Sequence, residues 1–371
     1  MKVALFIPDF SQGGAESVVA NLANYIVKNT GFDVDLIVTN KNGTLINIID
    51  SRVSIINLNC KNVRFSLLKL CLYLMKNRPN ILLSTLKENN IMVVIANRLT
   101  LNKTKIILRE ANTLSSEFCN EGDRFVGIIK KYLVKLTYPM SDHIIALSNH
   151  MRDDILSVLN VNRNDISVIY NPVNIEHINY KANEINNPYD DNVFNILSVA
   201  RLYKAKGYET ILKSLSMLKN SGIDFRFHSL GHGPELDFLK KYAKELNIDK
   251  NVTFWGFREN PYPFIKNSNC FVLASEMEGM PNSLLQAMSL NIPVIATDSP
   301  GAVSEVTEGG LYGKLFSVGD YKKLYEILYD NYKLYKDNQL NINTKDFIHT
   351  RHNESLIMDK YIDVFVNIEK K

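Results

Sequence analysis

Three stretches of the chain combine residue types and spacings that suit a charged, hydroxyl-rich ligand. In Arg201-Leu202-Tyr203-Lys204-Ala205-Lys206-Gly207, an arginine and a lysine flank a short loop closed by a glycine. Arginine grips phosphate oxygens two at a time and lysine acts as a point charge. The pair reads either as a diphosphate clamp or as a solvated basic loop. In Glu278-Gly279-Met280-Pro281-Asn282-Ser283-Leu284, a Gly/Pro loop carries a carboxylate toward a helix start, and Gln286 follows within the first turns. The third stretch, Ser11-Gln12-Gly13-Gly14-Ala15-Glu16, has two glycines that either let the backbone approach a ligand or simply turn the chain. It lacks the G-x-G-x-x-G spacing, and no acidic residue ends the next strand, so no dinucleotide cofactor is expected. Asp33-Val34-Asp35 has a spacing by which two carboxylates can hold a divalent ion. It opens an apolar run, however, and reads as the polar start of a strand. No metal and no cofactor are expected.

The elements that must position these residues are legible from hydrophobic periodicity. Short, nearly continuous apolar runs (Lys2–Ile7, Val34–Thr39, Phe194–Val199, Cys270–Ala274) alternate with stretches of helical spacing, among them 15–28, 207–220 and 282–289. That alternation predicts parallel sheets covered by helices on both faces. Residues 171–192, rich in Asn, Pro and charge, break the rhythm and read as a linker. The fold class expected is therefore α/β, with two doubly wound Rossmann-like domains. The expected boundaries are 1–175, completed by a C-terminal helix at 352–371, and 176–351. Ligands of doubly wound sheets bind at the carboxyl ends of the strands, which is where all three stretches fall.

Composition agrees with a folded, non-fibrous protein. The chain has 371 residues, 46% of them hydrophobic and 22% charged, with a net charge of +4. The charge is too small to imply nucleic acid, although the first half carries a mild positive excess. The four cysteines are widely spaced and form no C-x-x-C pair, which excludes the usual zinc and thiol-redox spacings and suggests a reducing compartment. No apolar run is long enough to cross a bilayer. A cytoplasmic location is expected.

From Glu278 onward the sequence resembles the retaining glycosyltransferases of family 4, which have the GT-B fold. Their signature is Glu-x7-Glu followed by an Ala-Met helix and a Pro-Val-Ile-Ala-Thr strand, seen here through Ala287-Met288 and Pro293-Val294-Ile295-Ala296-Thr297. Gly13-Gly14-Ala15-Glu16, Arg109-Glu110-Ala111-Asn112, residues 142–148 and residues 168–173 are similar to further family segments. The resemblance covers nearly the whole chain. It implies a donor site in the second domain, with Arg201 and Lys206 on the diphosphate and Glu278 on the sugar hydroxyls as the catalytic set. Gly13, Gly14, Gly279, Met280, Pro281, Asn282, Ser283 and Leu284 would lie near the donor, and Gln286 would meet the ribose. It also implies acceptor-side roles for Glu16, Arg109, Glu110 and Asn112. Two positions depart from the pattern: Gln286 replaces the second Glu, and Ala111 stands where relatives have His.

The activity implied is transfer of a hexosyl or N-acetylhexosaminyl group from a nucleotide-sugar, a UDP-sugar foremost. The acceptor would be a polyprenyl-diphosphate-linked glycan in O-antigen- or capsule-type assembly. A nucleotide-sugar epimerase of similar fold, or a noncatalytic sugar-nucleotide binder, are the alternatives. Leu67–Lys76, apolar almost all round, and Ile128–Leu136, with Lys130, Lys131 and Lys135, are helices that either pack on their own sheet or rest on an anionic lipid surface. The second choice would place the protein peripherally on the inner leaflet. His228 is expected inside its strand, while His232 sits on a sheet-edge loop.

Overall fold

The central strands are apolar at every position because both faces of the sheet are covered. Val3–Ile7 and Ile81–Leu83 are fully buried. In the computed structural model, which describes residues 1–11, 13–121, 125–189, 193–340 and 342–370, all strand pairing is parallel. The chain divides into two compact units, one of residues 1–172 with 355–371 and the other of residues 173–354. Among the described residues no helix is long and apolar enough to cross a membrane.

The first unit holds β1 (Lys2–Ile7), β2 (Asp33–Val38), β3 (Ser54–Asn57), β4 (Ile81–Thr85), β5 (Lys105–Arg109), β6 (His143–Ala146) and β7 (Ile166–Val168). Their order is β3-β2-β1-β4-β5-β6-β7, so the direction of winding reverses between β1 and β4. Loops diverge at such a point and leave a crevice at the carboxyl edge. The helix Gly14–Asn29 buries Val19, Leu22, Ala23 and Ile26 against β1 and β2. The C-terminal helix Glu354–Glu369 completes the same core with Ile357, Met358, Tyr361 and Phe365, all fully buried. Asp35 is committed to structure: its carboxylate accepts from the Tyr73 hydroxyl at 2.6 Å and pairs with Lys2 at 2.8 Å.

The second unit holds β8 (Phe194–Val199), β9 (Phe225–Leu230), β10 (Val252–Gly256), β11 (Cys270–Leu273), β12 (Val294–Thr297) and β13 (Lys314–Phe316), in the order β10-β9-β8-β11-β12-β13. Here the winding reverses between β8 and β11. Three eight-residue helices differ from the periodicity reading. The segment read as a linker contains the helix Ile175–Ala182, capped by the Asn174 side chain, with Ile175, Ile178 and Ala182 buried. Its three apolar residues do have helical spacing, but Asn and charge around them obscured it; residues 190–192 of that segment lie outside the described residues. Leu114–Glu121 and Lys345–His352 are likewise helices that were not anticipated. His352 therefore ends one helix, and the last helix starts at Glu354 rather than at 352.

Candidate active site

The two charged loops of the second unit follow β8 and β11, the strands that flank its point of reversal. They are joined to each other by the backbone bond from Glu276 N–H to the Ala205 carbonyl, 2.9 Å. Gly207, with φ +65°, lets the first loop press on the second, since a Cβ there would lie 2.0 Å from the Ala274 carbonyl oxygen. A third loop, after β12, braces the second: Ala302 N–H donates to the Gly279 carbonyl at 2.9 Å. Gly301, with φ +128°, makes that contact possible, because a Cβ would fall 1.6 Å from the Glu278 carbonyl oxygen.

On this frame Lys206 and Glu278 meet. The Lys206 Nζ donates to Glu278 Oε1 at 2.6 Å, and the Ser275 hydroxyl donates to the same oxygen at 2.7 Å. Ser275 was given no role by sequence, and only the short gap to Glu278 signalled it. Arg201 is exposed, lies 5.4 Å from the centre of the Tyr203 ring and makes no ion pair among the described residues. The helix Asn282–Ser289 begins after Pro281 without a side-chain cap. Gln286 is half-buried, and its side chain makes no hydrogen bond among the described residues. Met280, Pro281 and Leu284 are buried, so their side chains pack and only their backbone can face a ligand. His232 is exposed, edge-on to Phe257. His228 is buried, accepts from the Trp255 indole N–H at 3.1 Å, and is held down to about 4 by burial and then by Arg226.

The first unit places its candidates differently. Gly13 and Gly14 open the helix Gly14–Asn29, and the Glu16 carboxylate folds back so closely that a Cβ on Gly13 would lie 2.1 Å from it. Gln12 lies outside the described residues. Arg109, expected beside an acceptor, is instead fully buried. Its guanidinium donates to the Tyr361 hydroxyl at 2.9 Å, the Thr85 hydroxyl at 3.1 Å and the Asn171 side-chain oxygen at 2.7 Å. It ties β5 to the C-terminal helix and has no surface to offer a substrate. Glu110 is also buried; Tyr138 donates to it at 2.5 Å and the Ala111 amide at 2.9 Å. Burial pushes this carboxyl up to about 7, with repulsion from Glu117 adding to it and the Tyr138 bond opposing. The Asn112 side chain donates to Glu117 at 2.7 Å, and Glu117 pairs with the buried Lys87 at 2.7 Å.

Comparison with known proteins agrees with these frames. The profile described as glycosyl transferases group 1 matches residues 181–344, and that described as glycosyltransferase family 4 matches residues 12–177. The chain belongs to the group 1, family 4 glycosyltransferases. As a glycosyltransferase of this group it has the GT-B fold. It is 28% identical, over 88% of each chain, to N-acetylgalactosamine-N,N'-diacetylbacillosaminyl-diphospho-undecaprenol 4-alpha-N-acetylgalactosaminyltransferase of Campylobacter jejuni. Over 41% of this chain and 42% of the relative, it is 32% identical to a lipopolysaccharide 1,6-galactosyltransferase of Salmonella typhimurium. In structure it is similar to the HepE protein of Anabaena in complex with UDP-glucose, with a TM-score of 0.80 and 15% identity over 99% of this chain and 100% of the other. The glycosyltransferase thus carries its two charged loops in the unit that the group 1 profile matches.

Proposed function

We propose that this glycosyltransferase moves a sugar from a UDP-sugar to a polyprenyl-diphosphate-linked glycan, with retention of configuration and without a metal, in surface polysaccharide assembly. The observation that carries the reading is the joining of Arg201, Lys206 and Glu278 on hydrogen-bonded loops at the switch point of one sheet. Support comes from the Campylobacter relative, whose name specifies a diphospho-undecaprenol substrate, and from the Anabaena protein solved with UDP-glucose. The second unit takes the donor and the first the acceptor.

Cleavage of the sugar–diphosphate bond leaves negative charge on the phosphate. Arg201, with its guanidinium unpaired among the described residues, and the start of the helix Asn282–Ser289 oppose that charge in the manner of a preorganised oxyanion site. Lys206 and Ser275 hold Glu278 in one orientation for the sugar hydroxyls. The acceptor oxygen bonds to the anomeric carbon on the face the diphosphate leaves, and the acceptor's proton passes to the departing phosphate oxygen.

The first unit is the side that meets lipid at the inner leaflet. The helix Leu67–Asn77 exposes Leu68, Leu72 and Met75, and Phe125–Thr137 exposes Phe125, Val126, Ile128 and Tyr132. Lys76 and Lys135 are exposed on the same helices, the pattern that binds anionic interfaces.

The test is incubation of the full chain, in excess EDTA, with UDP-glucose, UDP-galactose and their N-acetylhexosamine counterparts and an undecaprenyl-diphosphate-linked glycan. UDP release with an α-linked product is expected. An inverted product, a free epimer of the donor sugar, or turnover only on addition of Mg²⁺ or Mn²⁺ would overturn the corresponding part of the reading.

A further inference from the structure

The joined loops after β8 and β11 carry two lysines and two glutamates, and only one of each is paired. Lys204 and Glu276 are exposed and form no ion pair among the described residues. Lys206 and Glu278 meet at 2.6 Å, with side chains only 22% and 13% exposed. A pair withdrawn from water in this way is screened less than one on the open surface. The fully buried Ser275 adds its bond to the same Oε1, while Glu278 Oε2 has no hydrogen-bond partner among the described residues. The carboxylate is therefore pinned by one oxygen and open at the other. Lys206 is fixed at its backbone as well, where its N–H donates to the Tyr203 carbonyl at 2.9 Å.

In a nucleotide-sugar site each member of this pair has a second claimant, the diphosphate for Lys206 and the sugar hydroxyls for Glu278. An intact nucleotide-sugar and the nucleoside diphosphate left after transfer differ in what they return. The intact donor draws the ammonium toward its phosphates and gives the carboxylate, which can only accept, hydroxyl donors in exchange. The spent diphosphate makes the same demand on Lys206 and offers Glu278 nothing. Taking away one partner of a withdrawn ion pair is costly, because the charge left behind is uncompensated. Arg201, unpaired among the described residues, carries no such internal competitor.

We propose that the Lys206–Glu278 ion pair makes the site discriminate between an intact nucleotide-sugar and the spent nucleoside diphosphate, Glu278 competing with the diphosphate for Lys206 once the sugar has gone. The inference rests on the reading of the second unit as the donor side. It gives the pair a part in expelling the product, beyond holding Glu278 for the sugar. Product release, rather than chemistry, sets turnover in many enzymes.

Isothermal titration calorimetry on the full chain tests it, with UDP and the four UDP-sugars named above as probes. The proteins compared are the parent, Glu278→Gln, Lys206→Ala and the double variant. Glu278→Gln frees Lys206, so it should tighten UDP about fivefold, the scale of one ion pair, while weakening whichever UDP-sugar the parent binds best. On the Lys206→Ala background, where no lysine is left to compete for, the same substitution should change UDP affinity by no more than about twofold. That non-additivity separates a shared lysine from plain repulsion between carboxylate and diphosphate, which would tighten UDP equally in both backgrounds. Every variant should melt like the parent, since both side chains lie on loops and outside the apolar core. Equal tightening in the two backgrounds, or UDP binding unchanged or weakened by Glu278→Gln, would overturn the proposal and leave the donor assignment in place. A folded parent that binds neither UDP nor any of the UDP-sugars would defeat the donor assignment and the proposal together.

Discussion

Lys206 and Glu278 neutralise each other at 2.6 Å, whereas Arg201 points its charge at no carboxylate among the described residues, so the three do not carry equal weight. Arg201→Ala should lower kcat/KM for transfer by ~100-fold, the scale for losing one preorganised donor to a developing anion. Because Arg201 is exposed, the melting temperature should stay put; a variant with normal kinetics would remove it from the diphosphate. Glu278→Ala should nearly abolish transfer, since it strands both the lysine and Ser275. A second residue-scale expectation concerns pH. Glu110 ionises around 4.5 in an unfolded chain, but burial, reinforced by Glu117, holds its proton until about 7 in the folded one. Between those values the folded state binds more protons, so stability declines as pH rises through this window. Glu110→Gln, which keeps an acceptor for Tyr138 and cannot ionise, should flatten the decline between pH 4.5 and 7 in denaturant titrations. An equally steep decline in the variant would assign it to other groups. Residue type and spacing placed Arg201, Lys206 and Glu278 on loops after strands, and the structure brings Lys206 and Glu278 together there. The acceptor-side role that the family resemblance implied for Arg109 does not suit its burial, which depends on Tyr361, far along the chain, and on Asn171.

At the scale of elements, the loops after β8, β11 and β12 act as one body because their backbones touch. Gly301→Ala should force them apart, since its Cβ would overlap the Glu278 carbonyl and its φ is +128°. The strain from positive φ alone is about 1–3 kcal/mol. A lowered melting temperature together with weakened UDP-sugar binding is expected, and a melt unchanged from the parent would show the loops to be independent. The exposed helices of the first unit lead to a different measurement. Replacing Leu68, Leu72 and Met75 by Ser, with Lys131 and Lys135 by Gln, should reduce sedimentation with anionic liposomes. Each basic residue near such a surface contributes about 1 kcal/mol. Retained sedimentation would place the lipid contact elsewhere; Lys130 is left unchanged because it already pairs with Glu88. Strands and long helices were visible in the sequence because apolar periodicity is a local property. The helices Leu114–Glu121, Ile175–Ala182 and Lys345–His352 were not, being short and polar with one narrow face buried.

At the scale of the molecule, the chain leaves the first unit at Pro172 and returns at Ser355. The two passages are laced together: Val173 N–H donates to the His352 carbonyl at 2.7 Å, and Asn174 donates to the Glu354 carboxylate at 2.5 Å. Removing residues 355–371 should unfold the first unit and spare the second. It would strip Ile357, Met358, Tyr361 and Phe365 from the core, at about 1.5–3 kcal/mol for each apolar side chain. That sum rivals the whole stability of a typical domain, about 5–15 kcal/mol. Limited proteolysis should leave a fragment of residues 173–354, and an intact first unit would contradict the expectation. The same return passage imposes an order in time. A ribosome makes the first sheet early, yet the helix that closes its core and meets Arg109 is made only after the entire second unit has been threaded out. The first unit to be begun is the last to be finished, and while the second unit is being made its core lacks the helix that closes it.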